Sequence, residues 1–290
     1  MRECIYLCLI ASCLMAVSMS LPFIVLHGLG DNCSNGNVET LRRDLADLSK
    51  SQGFCLEIGS GSNDSWLKPL TEQVQIACDK VKQMAELKDG YNIVGQSQGN
   101  MVARGLVQEC DGGPAVRNYV SLAGPHAGVA SVPNCGNKEL CKILAWLIRA
   151  DVYLDFVQDH LAPSGYVKIP NDTSTYLKKS KFLPILNNER PESKNSVYKQ
   201  RFTSLQNLIL IMFENDTVLF PKETSWFGFY PDGGFNPVLP PQQTLLYIED
   251  WIGLKTLDGA GKVKYIRVPG GHLQISRDDL IKYVVPYVTA

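Results

Sequence analysis

The chain predicts an α/β fold: a mostly parallel central sheet with helices on both faces. Strand-like and helix-like runs alternate through the first half, and the strand-like runs are apolar throughout rather than at every second residue. A strand that is apolar on both faces is covered on both, which is the condition of a parallel sheet sandwiched by helices. A third observation sets a functional loop in that frame. The turn Gly95-Gln96-Ser97-Gln98-Gly99 lies between the strand-like Tyr91-Asn92-Ile93-Val94 and the helix-compatible run Asn100 to Val107.

The elements follow in order. Pro22 to Leu26 reads as a buried strand ending in the loop His27-Gly28-Leu29-Gly30-Asp31. Val38 to Leu48 has helical apolar spacing, and Phe54 to Ile58 reads as a second strand. Leu67 to Leu87 places Leu67, Leu70, Val74, Ala77, Val81 and Met84 on one helical face. The Ser97 strand and helix come next, then a strand at Tyr119 to Ala123. From about Gly124 to Gln206 no sheet strand is evident, although a parallel crossover needs only a dozen or so residues. That stretch holds a helical pattern from Glu139 to Leu161 and Pro-dotted polar sequence after it. It reads as a helical insertion over the C-terminal edge of the sheet, with a separate small domain as the alternative. Strands resume at Leu208 to Phe213 and Val263 to Val268, and Ser276 with Asp279 three residues on marks the start of a last helix.

Bulk properties narrow the class. The 290 residues are 45% apolar and 20% charged with a net charge of −1, an ordinary globular composition with no basic stripe for nucleic acid. Arg2, the apolar run Ile5 to Val17 and Ser18-Met19-Ser20 form a secretory signal pattern, too short to span a bilayer comfortably. The expected organisation is a signal peptide at 1–20 and one domain at 21–290 carrying an insertion at about 125–206. Removal of the signal leaves Cys33, Cys55, Cys78, Cys110, Cys135 and Cys141, an even set that suggests disulfides in any of fifteen full pairings. None lies in a C-x-x-C pair, so a zinc ribbon is disfavoured and no metal or cofactor is expected. Glycosylation sequons stand at Asn32, Asn63, Asn171 and Asn215.

A Gly-x-Ser-x-Gly between strand and helix is the nucleophile elbow of α/β-hydrolases, in which the serine is followed along the chain by an acid and then a histidine. Asp216 follows a late strand, and His272 sits between the last strand and the last helix. Ser97, Asp216 and His272 are therefore the candidate nucleophile, acid and base, with Glu214 and Asp250 as alternative acids. His126 and His160 precede the acid and read as structural, and His27 reads as a packing residue. The oxyanion donors expected are the backbone N–H of Gln98, the residue after the nucleophile, and of Leu29 in the first loop.

These residues resemble the palmitoyl-protein thioesterase family. The resemblance runs over essentially the whole mature chain: His27-Gly28-Leu29-Gly30-Asp31, Gly95 to Gly99, Asn215-Asp216, Ser225-Trp226-Phe227-Gly228-Phe229-Tyr230, Leu246-Tyr247, Gly253-Leu254-Lys255 and His272 to Ser276. It implies a serine hydrolase of long-chain acyl thioesters with Ser97, Asp216 and His272 as triad, Leu29 and Gln98 as oxyanion hole, and a fatty-acyl groove held by the insertion. It also implies disulfides Cys78–Cys110 and Cys135–Cys141. The chain departs from the family where members show Cys-Cys and this sequence has Cys33-Ser34, leaving Cys33 and Cys55 to pair or stay free. The implied partners are S-palmitoylated proteins or peptides and acyl-thioester lipids, met by a monomer in the lysosome, vacuole or extracellular space. Competing readings are a lipase or carboxylesterase acting on oxygen esters, and a non-catalytic acyl-lipid carrier.

Overall fold

A computed structural model describes residues 20–130, 142 and 151–289. Six strands, β1 (Phe23–Leu26), β2 (Gly53–Cys55), β3 (Tyr91–Gln96), β4 (Val116–Leu122), β5 (Asn207–Phe213) and β6 (Val263–Val268), form one sheet in the order β2-β1-β3-β4-β5-β6. Every neighbouring pair is parallel. β1 and β3 are buried along their whole length and β5 from its second residue, as their continuous apolar character requires. Because all strands point the same way, the loops after β1, β3, β5 and β6 converge on one edge of the sheet, the usual place for a site in such folds.

Helices α1 (Gly36–Ser49), α2 (Ser62–Leu67), α3 (Leu70–Gln83) and α4 (Gly99–Gln108) connect the first strands. The single helix expected over Leu67 to Leu87 is instead α2, α3 and a 3-10 turn at Ala85–Leu87. Lys68 precedes Pro69 and is extended (ψ 131°), because the proline ring excludes helical geometry from the residue before it, and α3 starts afresh after Pro69. The second strand is also shorter than Phe54 to Ile58, since its ladder with β1 ends at Cys55.

Between β4 and β5 the described residues contain no strand. They contain helices at Asp155–His160, Thr173–Lys179, Leu183–Leu186 and Ser196–Thr203, joined by 3-10 turns. The helical pattern read from Glu139 to Leu161 does not continue through residues 151–154. Asp151 is left-handed (φ 60°) and its carboxylate accepts the Tyr153 N–H, an Asx turn that competes with helix. The positions Leu140, Ile143, Leu144, Leu147 and Ile148, the signal segment and the pair Cys135 and Cys141 lie outside the described residues.

Among the described residues two disulfides brace the first half. Cys78–Cys110 joins α3 to the chain just beyond α4, and Cys33–Cys55 joins the loop after β1 to the end of β2. The insertion is held onto α4 by Arg104, which is fully buried. Its guanidinium donates to Asn187 Oδ1 (2.6 Å), to the carbonyls of His126 and Leu186 (both 3.2 Å) and to Gln108 Oε1 (3.0 Å). It also lies 5.1 Å from the centre of the Phe227 ring. Burial pulls the guanidinium down to about 10, which leaves it charged at neutral pH.

Candidate active site

The site begins with the turn after β3. Ser97 has φ 48°, a left-handed conformation that lifts its side chain off the strand line. The flanking glycines are required by contact. A Cβ on Gly95 would fall 2.2 Å from Asn100 Oδ1, and one on Gly99 would fall 2.5 Å from the carbonyl oxygens of Leu26 and His27. Asn100 locks the turn from below: its amide donates to the carbonyls of Ser97 and Leu122 (both 3.0 Å) and its oxygen accepts the Tyr119 hydroxyl (2.9 Å).

The loop after β6 carries His272, and the loop after β5 carries Asp216. The two loops are tied by Asn215 N–H donating to the Gly270 carbonyl at 3.0 Å. His272 Nδ1 lies 2.7 Å from Asp216 Oδ2, and His272 Nε2 lies 2.9 Å from Ser97 Oγ. With a carboxylate on Nδ1, that nitrogen carries the proton and Nε2 is left to accept from the serine hydroxyl. The second carboxylate oxygen of Asp216 accepts the N–H groups of Val218 (2.8 Å) and Leu219 (3.1 Å), so the buried anion is satisfied on both oxygens.

The loop after β1 closes the site. Gly28 packs against the turn so closely that a Cβ there would lie 3.3 Å from Ser97 Cβ. Leu29 follows it, and Gln98 follows Ser97. Among the described residues neither the Leu29 nor the Gln98 N–H is seen to donate to a backbone acceptor outside the helices and strands.

The other candidates fall elsewhere. Glu214 is exposed. Asp250 accepts from Lys255 N–H and Thr256, and pairs with Lys199 at 2.9 Å. His160 is exposed and stacks on Phe156. His126 is fully buried, bonded through Nε2 to Ser121 Oγ at 2.8 Å and stacked on Phe227. Burial, with the charge of Arg104, pushes it well below the usual histidine range, so it stays neutral. His27 is buried with Nε2 2.8 Å from Glu57 Oε1. That contact is too poorly aligned to count as a hydrogen bond, and we read it as a close electrostatic approach.

Sequence reasoning passed over Arg104, although an arginine inside the apolar run Asn100 to Val107 is itself a sign of a buried charge. It also passed over Ser65, which contacts the Gln98 side chain and which no local pattern marks. Among the described residues no group of three His, Cys, Asp or Glu side chains is placed to share a metal ion. A cavity of about 460 Å³ lies between the insertion and the stretch after β5, lined by Lys168, Leu177, Phe229, Tyr230, Leu246 and Trp251 among others. None of Ser97, Asp216 and His272 lines it.

Comparison with known proteins agrees with this frame. The family model described as palmitoyl protein thioesterase matches residues 22–272. A Caenorhabditis elegans protein named palmitoyl-protein thioesterase 1 is 37% identical, over 94% of this chain and 96% of its own length. A Homo sapiens protein named lysosomal thioesterase PPT2 is 29% identical, over 86% of this chain and 80% of its own. The solved structure of an esterase from Pyrobaculum calidifontis shares the fold, with a TM-score of 0.50 and 11% identity over 93% of this chain and 76% of that one.

Proposed function

The chain belongs to the palmitoyl-protein thioesterase family, and from that premise we propose that it hydrolyses long-chain acyl thioesters on S-acylated proteins or peptides through an acyl-enzyme on Ser97. One observation carries the mechanism: the continuous chain Ser97 Oγ, His272, Asp216 at 2.9 and 2.7 Å. His272 Nε2 takes the Ser97 proton as Oγ attacks the thioester carbonyl. The carbonyl oxygen becomes an oxyanion received by Leu29 and Gln98 N–H. The tetrahedral intermediate collapses, the C–S bond breaks, and the thiolate leaves with the proton from His272. Water, activated by His272, then attacks the acyl-serine and releases the fatty acid. A thiol with a pKa of about 8.5 departs far more readily than an alkoxide, so the demand on His272 as acid is light and carbonyl placement dominates.

Acyl specificity falls to the insertion at about 125–206. In support, insertion residues line the cavity of about 460 Å³, and its walls are mostly apolar. Each CH₂ buried there contributes about 0.8 kcal/mol, so a long chain outweighs any single polar contact. Because no triad residue lines the cavity, this reading requires the acyl tail to run from Ser97 beneath the insertion to reach it. Leu177→Trp would fill part of that space. Short-chain thioesters should be cleaved as before while palmitoyl thioesters slow; equal loss at every length would move the groove elsewhere.

The same proposal covers the N-terminus and the route of the protein. Residues 1–20 act as a signal peptide, and 21–290 enter the secretory pathway for a lysosome-like compartment, in keeping with the named lysosomal relative. Asn63, Asn171 and Asn215 are exposed and available to glycosylation, whereas the Asn32 amide is engaged with Ser62 Oγ at 2.8 Å. No helix among the described residues is long and apolar enough to cross a membrane. Matched thioester and oxyester substrates test the reaction class: a higher kcat/KM on the oxygen ester would favour an esterase.

A further inference from the structure

The loop that brings Leu29 to Ser97 lies in neither helix nor strand; its own backbone bonds are turn contacts such as Asp31 N–H to the Gly28 carbonyl (3.3 Å), and further contacts anchor it from outside. The segment from Cys55 to Ser65 does this at several points. Cys33 is bonded to Cys55, and its N–H donates to Glu57 Oε2 at 2.8 Å. The Asn32 amide donates to Ser62 Oγ at 2.8 Å. Gly30 N–H, one residue beyond Leu29, donates to Ser65 Oγ at 2.8 Å.

Ser65 differs from the other points because it also touches the opposite side of the site. Its backbone carbonyl accepts the side-chain amide of Gln98 at 2.7 Å. The oxygen of that same amide accepts the Tyr166 hydroxyl at 3.1 Å, which fixes the amide orientation. Ser65 is 1% exposed, and its hydroxyl proton is used on the Ser62 carbonyl at 2.7 Å, leaving lone pairs for Gly30. One buried residue in α2 therefore grips the neighbour of Leu29 with its side chain and the side chain of Gln98 with its backbone.

We propose that Ser65 is a positioning residue for the oxyanion hole: it sets the spacing between the Leu29 and Gln98 N–H groups by binding both halves at once. The inference rests on the reading of Leu29 and Gln98 as the oxyanion donors. Its chemistry is geometric. Donors stabilise the tetrahedral oxyanion only when both reach the place that oxygen occupies, so a shift of the loop lowers kcat more than it weakens substrate binding. A serine with a merely structural role would alter thermal stability and leave that balance alone.

The test uses the mature enzyme with Ser65→Ala, which deletes the Gly30 acceptor and keeps the carbonyl that holds Gln98. Loss of one oxyanion donor typically lowers kcat about 10²–10³-fold, and displacing a donor without deleting it should lower kcat about 10–100-fold with KM nearly unchanged. The second readout is a long-chain trifluoromethyl ketone. Ser97 Oγ adds to its carbonyl carbon, the proton passes to His272, and the resulting oxyanion sits where the transition-state oxygen would. Its affinity should fall by the same factor as kcat/KM. Ser65→Thr retains the hydroxyl and should restore most of both. Should Ser65→Ala fail to fold, Ser65→Cys takes its place, with a weaker acceptor of similar volume and a smaller loss in the same two quantities. Tight ketone binding by the parent with kcat and ketone affinity unchanged in the variant would overturn the inference alone. If the parent does not bind the ketone, or Ser97→Ala remains active, the site reading falls and this inference with it.

Discussion

Two polar clusters flank the helix that follows Ser97, and they use similar residues to opposite ends. At the strand ends, His272 has a carboxylate on Nδ1 and a serine hydroxyl on Nε2, and its side chain keeps 12% of its surface exposed. On the other side, His126 has a serine hydroxyl on Nε2 as well, yet it has no exposure at all, an aromatic ring stacked on it and the Arg104 charge nearby. A histidine–serine contact is thus not a catalytic signature by itself. The carboxylate on the far nitrogen orients the His272 ring toward Ser97, while burial and a neighbouring cation keep His126 neutral. The first cluster ends at the Ser97 hydroxyl. The second ends on the carbonyls and amides that fasten the insertion to α4.

Substitutions should separate the two clusters, the first through activity and the second through stability. Ser97→Ala should lower thioester hydrolysis on the order of 10⁶-fold with an unchanged melting temperature, and turnover within tenfold of the parent would remove Ser97 from the mechanism. Asp216→Asn should cost about 10⁴ in kcat, because an amide partner holds the imidazole in the wrong tautomer. If Glu214→Gln does more harm in the same assay, the acid is misassigned. Arg104→Met belongs to the other cluster. It strands the side-chain oxygens of Asn187 and Gln108 at about 1–3 kcal/mol each, while the Leu186 carbonyl keeps the Gln108 amide at 2.7 Å, and denaturant unfolding should report a loss of about 3–4 kcal/mol. The folded fraction should still turn over substrate, and a variant as stable as the parent would mean these contacts are not what holds the insertion.

Two smaller effects sharpen the contrast. Replacing Cys33 and Cys55 together by serine should lower stability by about 2–3 kcal/mol, and its kinetic effect should exceed that of removing Cys78–Cys110, since only the first bridge anchors the Leu29 loop. The smallest effect concerns acid. His126 is held below its ordinary value of 6.5 in the folded chain, so under pH 6.5 the unfolded state binds a proton that the native state refuses. Stability therefore falls as pH drops through 6.5. Melting curves between pH 7 and 5 should be flatter for His126→Gln than for the parent; parallel curves would show that His126 is not the acid-sensitive group.

Chain order and spacing were enough to pick out Ser97, Asp216 and His272, which the structure joins at 2.9 and 2.7 Å. Gly95 and Gly99 flank Ser97 because backbone and Asn100 leave no room for a side chain, and that requirement is written in the pentapeptide. Asp216 and His272 stand after late strands, and parallel strands necessarily bring such loops to one edge. The cap of the last helix was equally local: Ser276 Oγ accepts the Asp279 N–H at 3.1 Å. Breaks set by one residue's backbone preference were misjudged, as at Pro69 and Asp151, where apolar periodicity runs on through residues that are not helical.

What the sequence alone determined, then, is what short-range chemistry and strand direction dictate: the covered parallel sheet, the tight turn at Ser97, and the chain order of Ser97, Asp216 and His272. The tertiary structure decided the rest. Cys33 pairs with Cys55 because the β1 loop lies against the end of β2. Arg104 is buried because the insertion folds down onto α4 and offers it carbonyls. Ser65 meets Gly30 and Gln98 because α2 crosses beneath the loop after β1. Each of these contacts joins segments far apart in the chain, and no local pattern encodes a distance that only packing sets.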